Sequence, residues 1–208
     1  QIVDVSDPAH PQMAGHYYSR SLPTDLLLFN DLLFLATWES IDIINIKNVE
    51  TPHKLGAISS GATSLARDGE RLAAGWGSCY FRAGYCEGGF RLFDLTDPER
   101  PFPIGDLQFN ELPGYDVALA NDYAFVTGKG LSVIDLADLE AMQINGRYPV
   151  EDGWLFASKI LLDGDLAYTI QHTGLSVFDL SQPTNPQWIG SYTTMNPLTD
   201  LAPCVPRI

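Results

Sequence analysis

Positive charge is what this chain has least of. Lys and Arg number 12 against 26 Asp and Glu, a net charge of −14 over 208 residues. Nucleic acid and anionic membrane both need clustered cations, so neither is expected as a partner. The acidic residues are spread along the whole chain, a distribution that serves solubility rather than a binding tail. Long apolar runs are missing as well. None approaches the roughly 18 residues of a membrane-spanning helix, and direct membrane insertion is not expected. No stretch carries a helical apolar period, so almost no helix is expected. At 45% hydrophobic and 18% charged, the composition is nevertheless that of a folded protein.

Chemical signatures are equally scarce. There is no Gly-x-Ser-x-Gly elbow, no His-Glu-x-x-His, no phosphate-binding loop and no Gly-x-Gly-x-x-Gly. His10, His16, His53 and His172 share no repeat position and make no close pair, so no metal ring and no cofactor is expected. Glu111, Asp116, Glu151 and Asp152 are the acids that could place two carboxylates near a channel mouth, as glycoside chemistry needs. With 26 acidic residues, however, some pair always looks suitable. Lys159 is expected to pair with one of these carboxylates rather than act as a nucleophile.

What the chain does have is repetition. The pattern Val177-Phe178-Asp179-Leu180-Ser181 through Trp188-Ile189-Gly190 occurs five times, closing on Gly15, Gly56, Gly105, Gly146 and Gly190. The steps between those glycines are 41, 49, 41 and 44 residues, the period of a propeller blade and not of a helical repeat. Within each unit, short apolar runs alternate with turn residues (Asn30-Asp31, Asp68-Gly69, Asn121-Asp122, Asp163-Gly164), which reads as four strands. Many runs are apolar on both faces, as in Leu27-Leu28-Phe29, so each sheet is expected to be covered on both sides. The expected fold is therefore all-β: a β-propeller with four complete four-stranded antiparallel blades and partial blades at both ends. Its units span about 1–15 (partial), 24–58, 62–107, 116–148, 157–192 and 199–208 (partial). Pro197 to Leu201 echoes Leu22 to Leu26 and opens the last of them. Either the chain is a fragment of a longer propeller, the favoured reading, or its two ends share one blade that lacks a strand.

Val3-Asp4-Val5-Ser6-Asp7-Pro8-Ala9-His10-Pro11, Gly130-Leu131-Ser132-Val133-Ile134-Asp135 and Gly174-Leu175-Ser176-Val177-Phe178-Asp179 resemble the LVIVD-repeat family. The resemblance departs at Asn45, where the aspartate is absent, and at Leu139 to Ile144, where both prolines are lost. It implies a β-propeller of bacterial or archaeal type, often secreted or surface-attached, and it implies no reaction.

The repeated acidic position comprises Asp4, Asn45, Asp94, Asp135 and Asp179. It reads as a strand end that bonds the following turn, not as a ring of ligands. The segment Gly75 to Gly89 is the one clear insertion and is expected to be a surface loop. A bridge between Cys79 and Cys86 would hold it, whereas a metal site or a redox pair has less support from the spacing; a bridge places the protein outside the cytoplasm. Cys204 has no assigned role.

In a propeller, the links between second and third strands open on the same face as the links between blades. Here they carry Tyr17, Tyr18, Arg20, Trp38, Trp76, Tyr80, Phe81, Arg82, Tyr85, Tyr115, Trp154 and His172, the expected binding face. Several of these side chains would serve equally well to plug the channel. The expected function is a non-enzymatic, extracytoplasmic platform for a protein partner or larger complex. The alternative is a propeller enzyme: a carboxylate-based hydrolase or lyase, or an oxidoreductase with its cofactor elsewhere. An enzyme should show a concave mouth with two titratable groups perturbed together; a docking module should show a flat or convex aromatic patch, covered if a partner is present.

Overall fold

The computed structural model describes residues 1–80, 85–110, 114–128, 130–149, 158–171 and 174–202. Among them there are strands and turns and no helix. The first sheet pairs β1 (Ile2–Asp4) with β2 (Gln12–Gly15). The second holds β3 (Pro23–Phe29), β4 (Leu32–Thr37), β5 (Ile41–Asn45) and β6 (His53–Ile58). The third holds β7 (Ser64–Asp68), β8 (Arg71–Tyr80), β9 (Tyr85–Asp94) and β10 (Phe102–Asn110). The fourth holds β11 (Val117–Ala120), β12 (Tyr123–Gly128), β13 (Gly130–Asp135) and β14 (Ile144–Pro149). The fifth holds β15 (Lys159–Asp163), β16 (Leu166–Gln171), β17 (Gly174–Asp179) and β18 (Gln187–Thr193). Every sheet is an antiparallel meander in chain order.

Local chemistry explains the repeat. First and second strands are joined by two residues, the first being Asn30, Gly69, Asn121 or Gly164, with φ between 55° and 58°. Only Gly, and Asn at modest cost, adopt that left-handed backbone readily. The repeated acidic position behaves as expected: Asp4, Asn45, Asp94, Asp135 and Asp179 each accept the backbone amide two residues on, at 2.6 to 3.0 Å. The closing glycines have a role the spacing alone did not reveal. In every sheet the last strand bulges just before its glycine, leaving Ala14, Leu55, Ile104, Asn145 and Ile189 without a partner opposite. A Cβ on Gly15 would sit 1.8 Å from the Val49 carbonyl oxygen, and one on Gly146 2.6 Å from that of Thr184. The outer edge of one sheet thus meets the turn backbone of the next.

Three apolar clusters fill the spaces between consecutive sheets. Phe34, Ile41 and Ile43 meet Leu65, Leu72 and Phe93; Phe90 and Leu92 meet Val117, Val126 and Ile134; Leu131 and Val133 meet Ile160, Ala167 and Phe178. The first strands touch in series, β3 to β7, β7 to β11 and β11 to β15. This is radial stacking about the inner strands, not a two-layer sandwich. The array is open at its ends. At one repeat position, Leu65, Val117 and Ile160 are 8%, 4% and 9% exposed, but Leu26 is 60% exposed because the first sheet has no inner strands to cover it.

Two expectations need correction. Trp76 to Tyr80 and Tyr85 to Gly89 are not a loop beyond the sheet. Pairing continues from Gly75↔Phe90 to Tyr80↔Tyr85, so β8 and β9 run for 10 residues each. The aromatic residues Trp76, Tyr80 and Tyr85 have high strand preference, which suits the continued pairing despite the glycines between them. At the other end, Thr199 to Ala202 form no strand despite their likeness to Thr24 and Asp25.

Candidate functional site

The inner strands begin with two repeated positions. The first is a collar of hydroxyl-bearing residues, Thr24, Thr63, Tyr115 and Ser158; the second comprises Asp25, Ser64, Asp116 and Lys159. The collar hydroxyls are anchored to backbone. Thr24 Oγ1 donates to the Ala62 carbonyl at 2.6 Å, Thr63 Oγ1 to those of Gly75 and Gly114 at 2.9 and 2.7 Å, and Ser158 Oγ to that of Ile170 at 3.4 Å. Below them the carboxylates fasten sheet to sheet. Asp25 Oδ2 accepts the Leu65 amide at 2.7 Å, and Asp116 Oδ2 the Ile160 amide at 2.9 Å. Ser64, between them, is fully buried and its hydroxyl has no partner.

Thr24, Thr63, Tyr115, Ser158 and Lys159 line a cavity of about 410 Å³ together with Trp38, whose side chain is 60% exposed. Trp38 is held outward by the turn Thr37 to Ser40, in which Thr37 Oγ1 donates to the Ser40 carbonyl at 2.9 Å and accepts the Ser40 amide at 3.0 Å. Gly61 approaches so closely that a Cβ there would lie 2.0 Å from the Trp38 carbonyl oxygen. Burial raises the pKa of both Tyr115 and Asp116. For Asp116, the Ile160 amide and Lys159, whose Nζ lies 3.9 Å from Oδ1, oppose the rise, while the charge of Asp25 adds to it. Lys159 therefore has the carboxylate partner expected of it.

A second cavity, of about 570 Å³, brings together Tyr17, Tyr18, Arg20, Glu39, Asp42 and Lys54. Its floor is Asp42 on β5, only 5% exposed, which accepts hydrogen bonds from Lys54 Nζ at 2.7 Å, Ser40 Oγ at 2.9 Å and Tyr17 Oη at 3.2 Å. Burial pushes the Asp42 carboxyl up, but the three donors and the Lys54 charge outweigh it and hold the pKa below its ordinary value. Burial and the Asp42 charge together raise the Tyr17 phenol. Tyr18 and Arg20 are exposed on the rim, with the His16 ring 4.8 Å from that of Tyr18.

Of the expected binding-face residues, the structure groups Tyr17, Tyr18 and Arg20 in one cavity, and Trp38 and Tyr115 in the other. Trp76 stands apart. It is half-buried in β8 under the Arg91 guanidinium, 4.8 Å from the ring centroid, and its indole nitrogen is buried without a partner. Tyr80 pairs in register with Tyr85, and Cys79 with Cys86. Phe81, Arg82, Trp154 and His172 lie outside the described residues, as do Glu111, Lys129, Glu151 and Asp152. No group of three metal-ligating side chains occurs among the described residues.

Sequence reasoning passed over Asp42, Lys54 and Arg91. Arg91 occupies in β9 the place of Asp42 in β5; it bonds Ser60 Oγ at 2.6 Å and Asp106 at 3.1 Å. The available signal was a single charged residue inside an otherwise apolar third strand, Ile41-Asp42-Ile43-Ile44 and Phe90-Arg91-Leu92-Phe93. Buried charge in such a place demands a partner.

Four-stranded meanders stacked radially, each gripping the next through its inner strand, define a β-propeller architecture. The model of the LVIVD repeat matches this chain at residues 1–19, 114–150 and 156–194, so those segments are similar to the LVIVD-repeat family. Among solved structures it is similar to the computationally designed Ika8 protein, at 12% identity and a TM-score of 0.60, over 88% of this chain and 52% of that one. It is also similar to Kuenenia stuttgartiensis hydrazine synthase, at 16% identity and a TM-score of 0.60, over 77% of this chain and 53% of that one. A functionally unknown protein from Desulfotomaculum acetoxidans DSM 771 matches at 12% identity and a TM-score of 0.51, over 87% and 74%. At such identities the likeness concerns fold alone. The chain spans about half the length of the first two. No curated protein matches it.

Proposed function

We propose that this protein is a non-enzymatic binding module that docks a protein partner on its loop face and works outside the cytoplasm. One observation carries the reading: Tyr18, 82% exposed, and Arg20 rim a cavity of about 570 Å³ whose floor is the buried Asp42, held by Lys54. Of that pair only Asp42 is buried, Lys54 being 42% exposed, and a polar floor under an exposed aromatic and arginine rim is the composition interfaces favour. The proposed location draws support from the β8–β9 hairpin, where Cys79 faces Cys86 and Cys86 is disulfide-bonded. Net charge of −14 supports the exclusion of nucleic acid as partner.

The test is affinity purification from the source organism with wild-type protein and with Tyr18→Ser/Arg20→Ala. A partner retained by the first and lost by the second, at unchanged melting temperature, supports the reading; the same proteins retained by both would overturn it. Intact mass with and without reductant tests the location, since a bridge absent from protein purified without reductant removes its support.

A second reading, an enzyme using carboxylates at the channel mouth, is favoured by one observation: Tyr115 and Asp116 are adjacent, and burial raises the pKa of both. Against it, Asp116 is already engaged by the Ile160 amide and Lys159.

A further inference from the structure

We propose that the mouth of the inner-strand channel is a binding site for a neutral carbohydrate, with Trp38 as the stacking platform. The site is an open depression, and its volume of about 410 Å³ falls within the roughly 300–1,000 Å³ of small-ligand pockets. It is built mainly from one repeat position of four successive blades, at or just before the start of each inner strand.

The hydrogen-bonding character of the collar narrows the ligand. A hydroxyl offers one donor and two acceptor lone pairs. Thr24, Thr63 and Ser158 direct their hydrogens to the carbonyls of Ala62, Gly75, Gly114 and Ile170. Acceptor capacity is what they have left for the cavity, so a matching ligand brings several donors of its own. Charge narrows it further. A cationic ligand would meet the Lys159 ammonium at the cavity wall. An anionic one would find the charge of that ammonium offset by Asp116, 3.9 Å behind it, and would meet the field of a chain carrying −14. A neutral molecule rich in hydroxyl donors avoids both.

The aromatic wall supplies the apolar contact. Trp38 is 60% exposed, fixed by the Thr37–Ser40 turn, with Tyr115 elsewhere in the lining. An exposed indole carried on a hydrogen-bonded turn beside these acceptors suits the C–H face of a sugar ring, with the sugar hydroxyls reaching the collar. The proposal needs this mouth to bind a ligand but does not need the protein partner proposed above, because the rim of the other cavity, Tyr18 and Arg20, takes no part.

The experiment is a glycan array carrying neutral and charged glycans, followed by calorimetric titration of the purified chain with the best neutral oligosaccharide. Spermidine and trigalacturonate serve as charged controls. Binding at a Kd of about 1 mM or tighter is expected for a neutral glycan. It should weaken at least about 10-fold in Trp38→Ala, less in Trp38→Phe, and stay unchanged in Tyr18→Ser/Arg20→Ala. Trp38→Ala should melt with the wild type, since its side chain is mostly in solvent. Three results would overturn the proposal: no neutral glycan bound, binding insensitive to Trp38→Ala, or tighter binding of either charged control. Loss of sugar binding in the Tyr18/Arg20 variant would place the sugar in the other cavity and overturn it too.

Discussion

Asp116 and Ile160 belong to different sheets, yet the Asp116 carboxylate receives the Ile160 backbone amide at 2.9 Å. Asp25 does the same for Leu65 one interface earlier, at 2.7 Å. The innermost strands would otherwise present these amides to an apolar boundary with nothing opposite. Hydrophobic contact is non-directional, whereas this bond fixes the height of one blade against the next.

Asp116→Ala should therefore cost about 1–3 kcal/mol, the penalty for leaving a buried amide unpaired. Asp116→Asn keeps an acceptor in place and should cost less. Urea denaturation of both variants compares them, and equal losses would mean the bond is not what Asp116 contributes.

The raised pKa of Asp116, caused first by burial, has a definite sign. The folded state holds its proton more tightly than the unfolded state, so this group's contribution falls as pH rises above the ordinary 3.8 and levels off once it is ionised. Stability measured against pH should lose that falling component in Asp116→Asn. An unchanged profile would assign the slope to other groups.

Asp42 has the opposite sign. Its pKa is lowered, so its contribution is present above 3.8 and is lost as pH falls through the folded value. Lys54→Met strands the carboxylate beneath the cavity and should cost about 1–3 kcal/mol at neutral pH, discounted because the Lys54 side chain is 42% exposed. Acidification should recover part of that loss by protonating Asp42. Melting curves at several pH values test this, and a deficit that does not narrow on acidification counts against it.

Gly146→Ala and Gly56→Ala separate the two roles of the closing glycine. A Cβ at 146 meets the Thr184 backbone at 2.6 Å, so about 1–3 kcal/mol of overpacking is expected. At 56 nothing lies within 4 Å, and a cavity of about 490 Å³ opens beside it, lined by Phe93, Arg100 and Pro101. Gly56→Ala should be neutral or slightly stabilising by loss of unfolded-state entropy. Equal effects in thermal melts would show that the bulge itself, not the neighbouring blade, requires glycine.

Replacing Cys79 and Cys86 with Ser should loosen the tip of the β8–β9 hairpin while leaving the blades folded, because Cys86 belongs to none of the three apolar clusters. Global unfolding at room temperature would contradict this.

Turn chemistry and alternation are local, and so the blade plan was legible in order: Asn30 and Gly164 at left-handed turns, Asp94 and Asp179 closing third strands, glycines at fixed steps. Sequence by itself determined most of the strands and where each complete unit begins. Only the tertiary structure decided what those equivalent residues touch. Leu26 and Leu65 occupy the same repeat position, but one is 60% exposed and the other 8%, because burial depends on the neighbouring sheet. Likewise Trp76 reads as a loop aromatic, yet it is drawn into an extended hairpin beneath Arg91. Asp42 hides in an apolar run until Tyr17, from the link before β3, and Lys54, from the neighbouring β6, satisfy it. Such contacts are made by strand pairing and by the packing of links against sheets, and no local pattern encodes them.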